Sequence, residues 1–259
     1  SKTVLDILKK NKSFKADYFL TFGKKVSQEY KKFFKTKCIE LGSFRSNFTP
    51  KIKKKNLRKS ILFISSGFEG RLNSKYFTVA GVNVISQKKF FEKDALIVNH
   101  IYQYCQNNNY KLEILEKFRT KDEKKYKYYK KILNDKKFVY HRKTKYDNQA
   151  YENSDNVLAT FSTFSALGLE LILRGNRVGI CNYRKSLNKE LDLFYPISMN
   201  KKGKFWTNYY NYNEIERVLD FIINSKQINW RNQISKIKPN LMIFNPKNTK
   251  LIKLIQKYY

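Results

Sequence analysis

Short apolar runs alternate along this chain with longer stretches of helical period, and this alternation restricts the possible folds more than any other feature. Ser60 to Ser65 (SILFIS), Lys111 to Leu115, Phe138 to His141, Val157 to Thr160 and Arg177 to Cys181 each read as a short buried strand. Between them, Lys88 to Asn108 places Phe91, Ala95, Val98 and Tyr102 on one helical face, and Asn107-Asn108-Asn109 breaks it. Lys121 to Leu133 is a Lys/Tyr-rich helix whose charges suit a solvated face. Such alternation predicts the α/β class, a parallel sheet covered by helices.

Upstream, helices or helical turns are expected over Thr3 to Lys10 and Ser27 to Phe34. Short strands are expected over Tyr18 to Phe22 and Lys37 to Leu41, the second ending in the turn-rich GSFRSN, Gly42 to Asn47. Lys51 to Lys59 (KIKKKNLRK) is cationic, lacks apolar periodicity and reads as a solvated linker. Beyond Tyr183 the sheet signals fade, while Glu214 to Asn224 and Thr249 to Tyr259 keep a helical period. The expected organisation is a small α/β unit over residues 1–50, a linker over 51–59, a main domain over 60–245 and a closing helix over 246–259. A chain of 259 residues has room for one good core plus such an appendage.

Charge limits the partners. Lys and Arg number 54 against 21 Asp and Glu, a formal charge of +33. A surface of that sign attracts phosphorylated substrates, an anionic membrane face or nucleic acid. The plainer reading is compositional, since the cations are mostly Lys and travel with abundant Asn, Ile, Tyr and Phe. Cys38, Cys105 and Cys181 are widely spaced and form no CxxC, and only His100 and His141 are present. Neither a disulfide framework nor a metal centre is expected, and a reducing, cytoplasmic setting fits. Val157 to Leu173 is the most apolar window, yet it falls short of about 20 residues, holds four hydroxyl side chains and includes Glu170. Membrane contact is therefore expected to be peripheral, through basic faces on the inner membrane.

The stretch that carries chemistry is a strand, then Ser162-Thr163-Phe164-Ser165, then a helix over Ala166 to Arg174 containing Glu170, then Gly175 and another strand. Ser and Thr here are N-cap residues, and Gly175 stands where a helix stops. Unpaired amides and the partial positive charge of a helix start favour an anion, so Ser162, Thr163 and Ser165 are candidate phosphate contacts. Glu170, farther along, is placed to accept hydrogen bonds from ribose hydroxyls, by analogy with dinucleotide folds. The bland alternative is a capped core helix with an ordinary surface acid. Against it, Glu170 sits in a helix apolar nearly all round, where a carboxylate needs a partner.

DNVLATFSTFSALGLELILRGNRVGI, Asp155 to Ile180, resembles the donor-site motif of GT-B glycosyltransferases, commonly a strand followed by S-T-x-x-x-E and a small-residue turn into a strand. Here Ser162-Thr163 and Glu170 stand slightly farther apart than in the tightest forms. The preceding YHRKTKYDNQAYENSDNV, from Tyr140, is similar to the segment that brings His or Arg toward the donor phosphates, with His141 and Arg142 in that place. ADYFLTFGKKVSQEYKKF and KCIELGSFRSN resemble the end of an amino-terminal, acceptor-binding domain. GKFWTNYYNYNEIERVLDFI, from Gly203, resembles the tail of surface-carbohydrate transferases, including Kdo-transferase-like proteins.

The resemblance implies a Rossmann-like, nucleotide-sugar-binding half of a GT-B enzyme with a short remnant of its second domain. It implies transfer of a sugar from a nucleotide donor, CMP-linked before UDP or GDP, to a glycan or lipid-linked acceptor, without metal or other cofactor. Ser162, Thr163, Ser165, His141 and Arg142 would hold phosphate, and Glu170 the ribose. Glu69, in SSGFEGR, is a candidate catalytic base, although a plain loop is the commoner use of such a run. Arg71 or Lys75 are placed to meet a pyrophosphate. Lys117 and Arg119, after KLEIL, are candidate cations for the donor phosphate, against simple solvation. Trp206 and Tyr209 to Tyr212 offer stacking surfaces, with a core or interface role the safer reading. Gly67 and Gly70 form no P-loop, and no GxGxxG is present. Two rivals remain: a single-stranded nucleic-acid-binding module, without any RNP, KH or helix-turn-helix signature, and a non-catalytic surface-polysaccharide assembly protein.

Overall fold

In the amino-terminal segment, β1 (Tyr18–Thr21) and β2 (Lys37–Glu40) pair in parallel across α1 (Lys24–Lys31). The computed structural model describes residues 16–32, 35–52, 56–65, 76–79, 82–116, 123–142, 148–163, 165–183, 202–237 and 242–257. GSFRSN was expected as a turn but contains α2 (Phe44–Phe48). Its N-cap, Ser43, accepts a hydrogen bond from the Ser46 amide at 3.3 Å, which is the start signal a turn-rich reading overlooks.

The main sheet has seven strands, beginning with β3 (Arg58–Ile64). A separate antiparallel hairpin, β4 (Tyr76–Val79) and β5 (Val82–Ser86), leads into α3 (Gln87–Asn107). The chain continues through β6 (Lys111–Leu115), α4 (Lys124–Ile132), β7 (Val139–His141) and α5 (Gln149–Asp155) to β8 (Val157–Ser162), α6 (Ala166–Leu173) and β9 (Val178–Cys181). A short hairpin, β10 (Lys202–Gly203) and β11 (Trp206–Thr207), precedes α7 (Tyr212–Asn224), α8 (Gln227–Ile237), a 3₁₀ turn over Pro246–Asn248 and α9 (Thr249–Gln256).

Sheet order is β10-β11-β9-β8-β3-β6-β7, parallel throughout except for the β10–β11 pair. After β3 the chain steps outward through β6 and β7, then returns to the other side of β3 as β8. That reversal is the doubly wound order, and it opens a crevice at the carboxyl ends of the strands beside β3. The α/β class and the parallel sheet expected from the strand–helix alternation are therefore what the structure has.

Both faces of the sheet are covered, which is why its strands read as unbroken apolar runs. Ile61, Leu62, Phe63 and Ile64 are all buried, at most 1% exposed. A Cβ built on Gly179 would stand 2.8 Å from both the Phe161 ring and Val218, so α7 lies on the face of Phe161. A Cβ on Gly168 would stand 3.0 Å from Ser162, so α6 lies on the opposite face. Gly175 ends α6 in the left-handed region at φ +88, as expected. Its amide bonds to the Ile172 carbonyl and that of Asn176 to Leu171, both at 2.9 Å, a Schellman stop.

Sheet structure does not end at Tyr183. The β10–β11 hairpin adds to β9 through strands of two residues each, too short to give a period. Farther on, the Ile243 amide donates to the Phe22 carbonyl at 2.7 Å, and Asn47 bonds both Asn248 and the Asn245 amide. The carboxyl-terminal stretch is thus pinned to the amino-terminal segment.

Candidate functional site

The crevice predicted by the strand order is a cleft of about 790 Å³. Ile64 and Leu115 end their strands there and are joined by Glu116; Asn148, Gln149, Ala150 and Tyr151 come from the start of α5, and Ser165, Ala166, Leu167 and Glu170 from α6. The amino-terminal segment supplies the facing wall with Phe22, Ser43, Phe44, Arg45, Phe48 and Thr49.

Ser165 is the N-cap of α6, in extended backbone at φ −143, and its carbonyl accepts from the Gly168 amide at 3.0 Å. Its hydroxyl makes no capping bond. A helix leaves its first-turn amides without intrahelical acceptors, and Ala166 and Leu167, which carry them here, line the cleft. Amides and dipole therefore present positive potential to whatever occupies it.

Glu170 follows on the same helix and accepts a hydrogen bond from the Tyr151 hydroxyl at 2.6 Å. Burial, then the adjacent Glu170 charge, holds the Tyr151 phenol well above its ordinary range, so it remains a proton donor to the carboxylate. Arg45, and after it Ser43, lie close enough to the same phenol to oppose the shift. That hydroxyl thus lies where the two walls meet.

Arg174, at the carboxyl end of α6, locks the segment leading out of the amino-terminal wall. Its guanidinium donates to the carbonyls of Ser46, Thr49 and Pro50 at 2.8 to 3.0 Å and to Asp155 at 3.1 Å. It also stands over the Tyr151 ring, 4.9 Å from the centroid. Asp155 in turn accepts from the Ile52 amide and from Asn176. Lys51 donates to the Arg174 carbonyl.

Of the residues expected at a donor site, Ser165 and Glu170 line the cleft. Ser162 and Thr163 do not. Both are fully buried, because strand alternation turns Ser162 onto the face that α6 covers, and Gly168 packs directly over it. The Ser162 hydroxyl has no hydrogen-bond partner among the described residues. His141 is not among the residues that line the cleft, and its Nε2 lies 2.6 Å from the Glu113 carboxylate. Arg142 is exposed and paired with Glu123 at 2.7 Å. Glu69, Lys117 and Arg119 lie outside the described residues, as do Arg71 and Lys75.

Trp206 packs edge-on against Phe205 at 4.9 Å, and Lys93 stands 4.8 Å over the Tyr210 ring. Tyr209 is exposed, and neither Trp206 nor any of Tyr209 to Tyr212 lines the cleft. Tyr151, Arg174, Ser43, Arg45 and Glu116 were not anticipated. A second charged residue closing ALGLELILR, apolar apart from Glu170, was the one available signal, for Arg174. The others are brought in from separate stretches of chain. Among the described residues, no three His, Cys, Asp or Glu side chains form a metal-ligating group, and no helix is long and apolar enough to cross a membrane.

A doubly wound sheet with an open cleft at its switch point and a second, smaller sheet facing it defines an α/β protein with a cleft between two walls. The chain belongs to the family described as "putative O-antigen biosynthesis protein", which it matches over residues 3–259. Among solved structures it is similar to the wall teichoic acid polymerase TagF, with a TM-score of 0.54 and 11% sequence identity over 97% of this chain. At that identity the likeness speaks for the fold alone. The chain spans 60% of the length of that polymerase. No curated protein sequence matches it.

Proposed function

We propose that the chain forms the donor-binding part of a glycosyltransferase in surface-polysaccharide assembly. In this reading it takes a sugar from a nucleotide donor, CMP-linked before UDP or GDP, for transfer to a glycan or lipid-linked acceptor. The observation that carries it is the meeting of the α6 start, Glu170 and Arg45 in one cleft at the switch point of the sheet. Membership of an O-antigen biosynthesis family and a fold shared with a polymerase of another surface polymer support it.

The chemistry follows from charge. As the bond between the anomeric carbon and the phosphate oxygen breaks, its electron pair leaves with the nucleotide, and the departing phosphate gains negative charge. The Ala166 and Leu167 amides, the Ser165 hydroxyl and the Arg45 guanidinium stabilise that charge without a metal. Glu170 accepts hydrogen bonds from the ribose. The acceptor hydroxyl attacks the anomeric carbon and gives its proton to a carboxylate. Glu69 is the proposed base from sequence, and Glu116, at the end of β6 on the cleft, is a second carboxylate for that role. Ser162, Thr163, His141 and Arg142 have no part in this proposal, given where they lie.

Calorimetric titration with CMP, UDP, GDP and a single-stranded oligonucleotide tests it, on wild type and Glu170→Ala. One nucleotide should saturate, and losing a charged hydrogen-bond acceptor should weaken it by about 10- to 100-fold. Salt-labile oligonucleotide binding with no nucleotide preference would instead favour a nucleic-acid module. An intact fold that binds none of these would favour a non-catalytic assembly role.

A further inference from the structure

Tyr151 is a buried cleft residue to which the donor reading gives no task. It is 2% exposed, too enclosed to be a contact surface of its own. Its hydroxyl nevertheless sits where three parts of the chain converge. It donates to Glu170 Oε2 at 2.6 Å, its ring carries the Arg174 guanidinium, and Ser43 and Arg45 of the amino-terminal wall line the same cleft. Arg174 is itself held by three backbone carbonyls and Asp155, with its side chain fully buried.

A glutamate side chain on a helix surface samples several rotamers, and fixing one before a ligand arrives removes that cost from binding. A carboxylate has about four lone-pair positions. Tyr151 occupies one on Oε2, leaving Oε1 to be aimed. The natural complement of an aimed carboxylate is a pair of adjacent hydroxyls, as on a ribose.

We propose that Tyr151 is a positioning residue, which holds Glu170 in the orientation that receives the ribose diol of the donor, and that Arg174 holds Tyr151 in turn. The inference rests on the donor-cleft reading and specifies the sugar half of the nucleotide. It assigns discrimination between ribose and deoxygenated analogues to a residue that acts through Glu170.

The test measures two affinities by calorimetry, for whichever of CMP, UDP and GDP saturates the wild type and for its 2′,3′-dideoxy counterpart. Both are measured on wild type, Tyr151→Phe, Glu170→Ala and the double variant. Tyr151→Phe keeps the ring under Arg174, and thermal melting confirms that the fold survives. It should weaken the ribonucleotide about tenfold and leave the dideoxy form unchanged. In the Glu170→Ala background it should have no further effect, the non-additivity expected when one residue acts through another. Arg174→Lys gives a second measure of the same ratio, which should also fall. An unchanged ribose preference in Tyr151→Phe, or additive losses in the double variant, overturns the inference while leaving the donor reading intact. A wild type that binds no nucleotide overturns both.

Discussion

Glu113 shows at the level of one residue how a strongly cationic chain uses the few acids it has. Register places it on the α6 face of the sheet with Leu62 and Leu115, nearly sealed from water. There it accepts from Arg58 Nε at 2.8 Å and Nη2 at 2.7 Å, from the Ser60 hydroxyl at 2.5 Å, and lies 2.6 Å from His141 Nε2. Burial disfavours its charge, but hydrogen bonds from His141, Arg58 and Ser60 outweigh that and bring the carboxyl from an ordinary 4.5 down to about 2. A carboxyl lowered on folding contributes stability that is whole above its unfolded value and is lost as pH falls toward the folded one. Urea unfolding should therefore show wild type losing up to about 3 kcal/mol between about pH 5 and pH 2 through this group. Glu113→Gln should flatten that part of the profile and cost about 2 to 3 kcal/mol near neutral pH. Arg174→Ala removes the partner of a buried Asp155 and the donor to three carbonyls, and should cost about 3 to 5 kcal/mol by the same measurement.

Among the elements, the contact between the two ends of the chain has the least room for change. Gly42 holds φ +80, and a Cβ there would fall 1.7 Å from the Ile243 carbonyl oxygen. Gly42→Ala should therefore loosen the carboxyl-terminal stretch from β1. Hydrogen exchange should rise at the Ile243 and Asn245 amides, with β3, β6 and β8 unaffected. At the far end, α9 buries no residue and exposes Ile252 and Ile255 by about half, beside Lys250, Lys253 and Lys257. An amphipathic, basic helix of this kind suits the peripheral membrane contact proposed from charge. Co-sedimentation should show binding to phosphatidylglycerol vesicles and little to phosphatidylcholine alone, and Ile252→Ser with Ile255→Ser should reduce the former several-fold.

For the whole molecule, a charge of +33 means that any polyanion will be attracted, whatever the cleft holds. Salt separates the two kinds of binding. Retention on a heparin column should collapse between about 50 and 200 mM salt, following counterion release. Nucleotide binding that depends on Glu170 and the α6 amides is short-range and partly enclosed, and should change by only a few-fold over that range.

Legible along the chain were the α/β class, the positions of the central strands, the start of α6 after the Ser/Thr run, its stop at Gly175, and Glu170 as an acid needing a partner. These are local matters, set by apolar period, capping chemistry and the left-handed tolerance of glycine within a few residues. Tertiary structure alone decided which hydroxyls face the cleft. Ser162 and Ser165 look alike in sequence, but the first ends a strand under Gly168 and the second begins the helix at the opening. It also decided that His141 serves Glu113, and that Ser43, Tyr151, Glu170 and Arg174 meet. Glu170 and Arg174 share α6, but Ser43 and Tyr151 come from other stretches, and only the return of the chain across β3 and the docking of the amino-terminal wall bring them together.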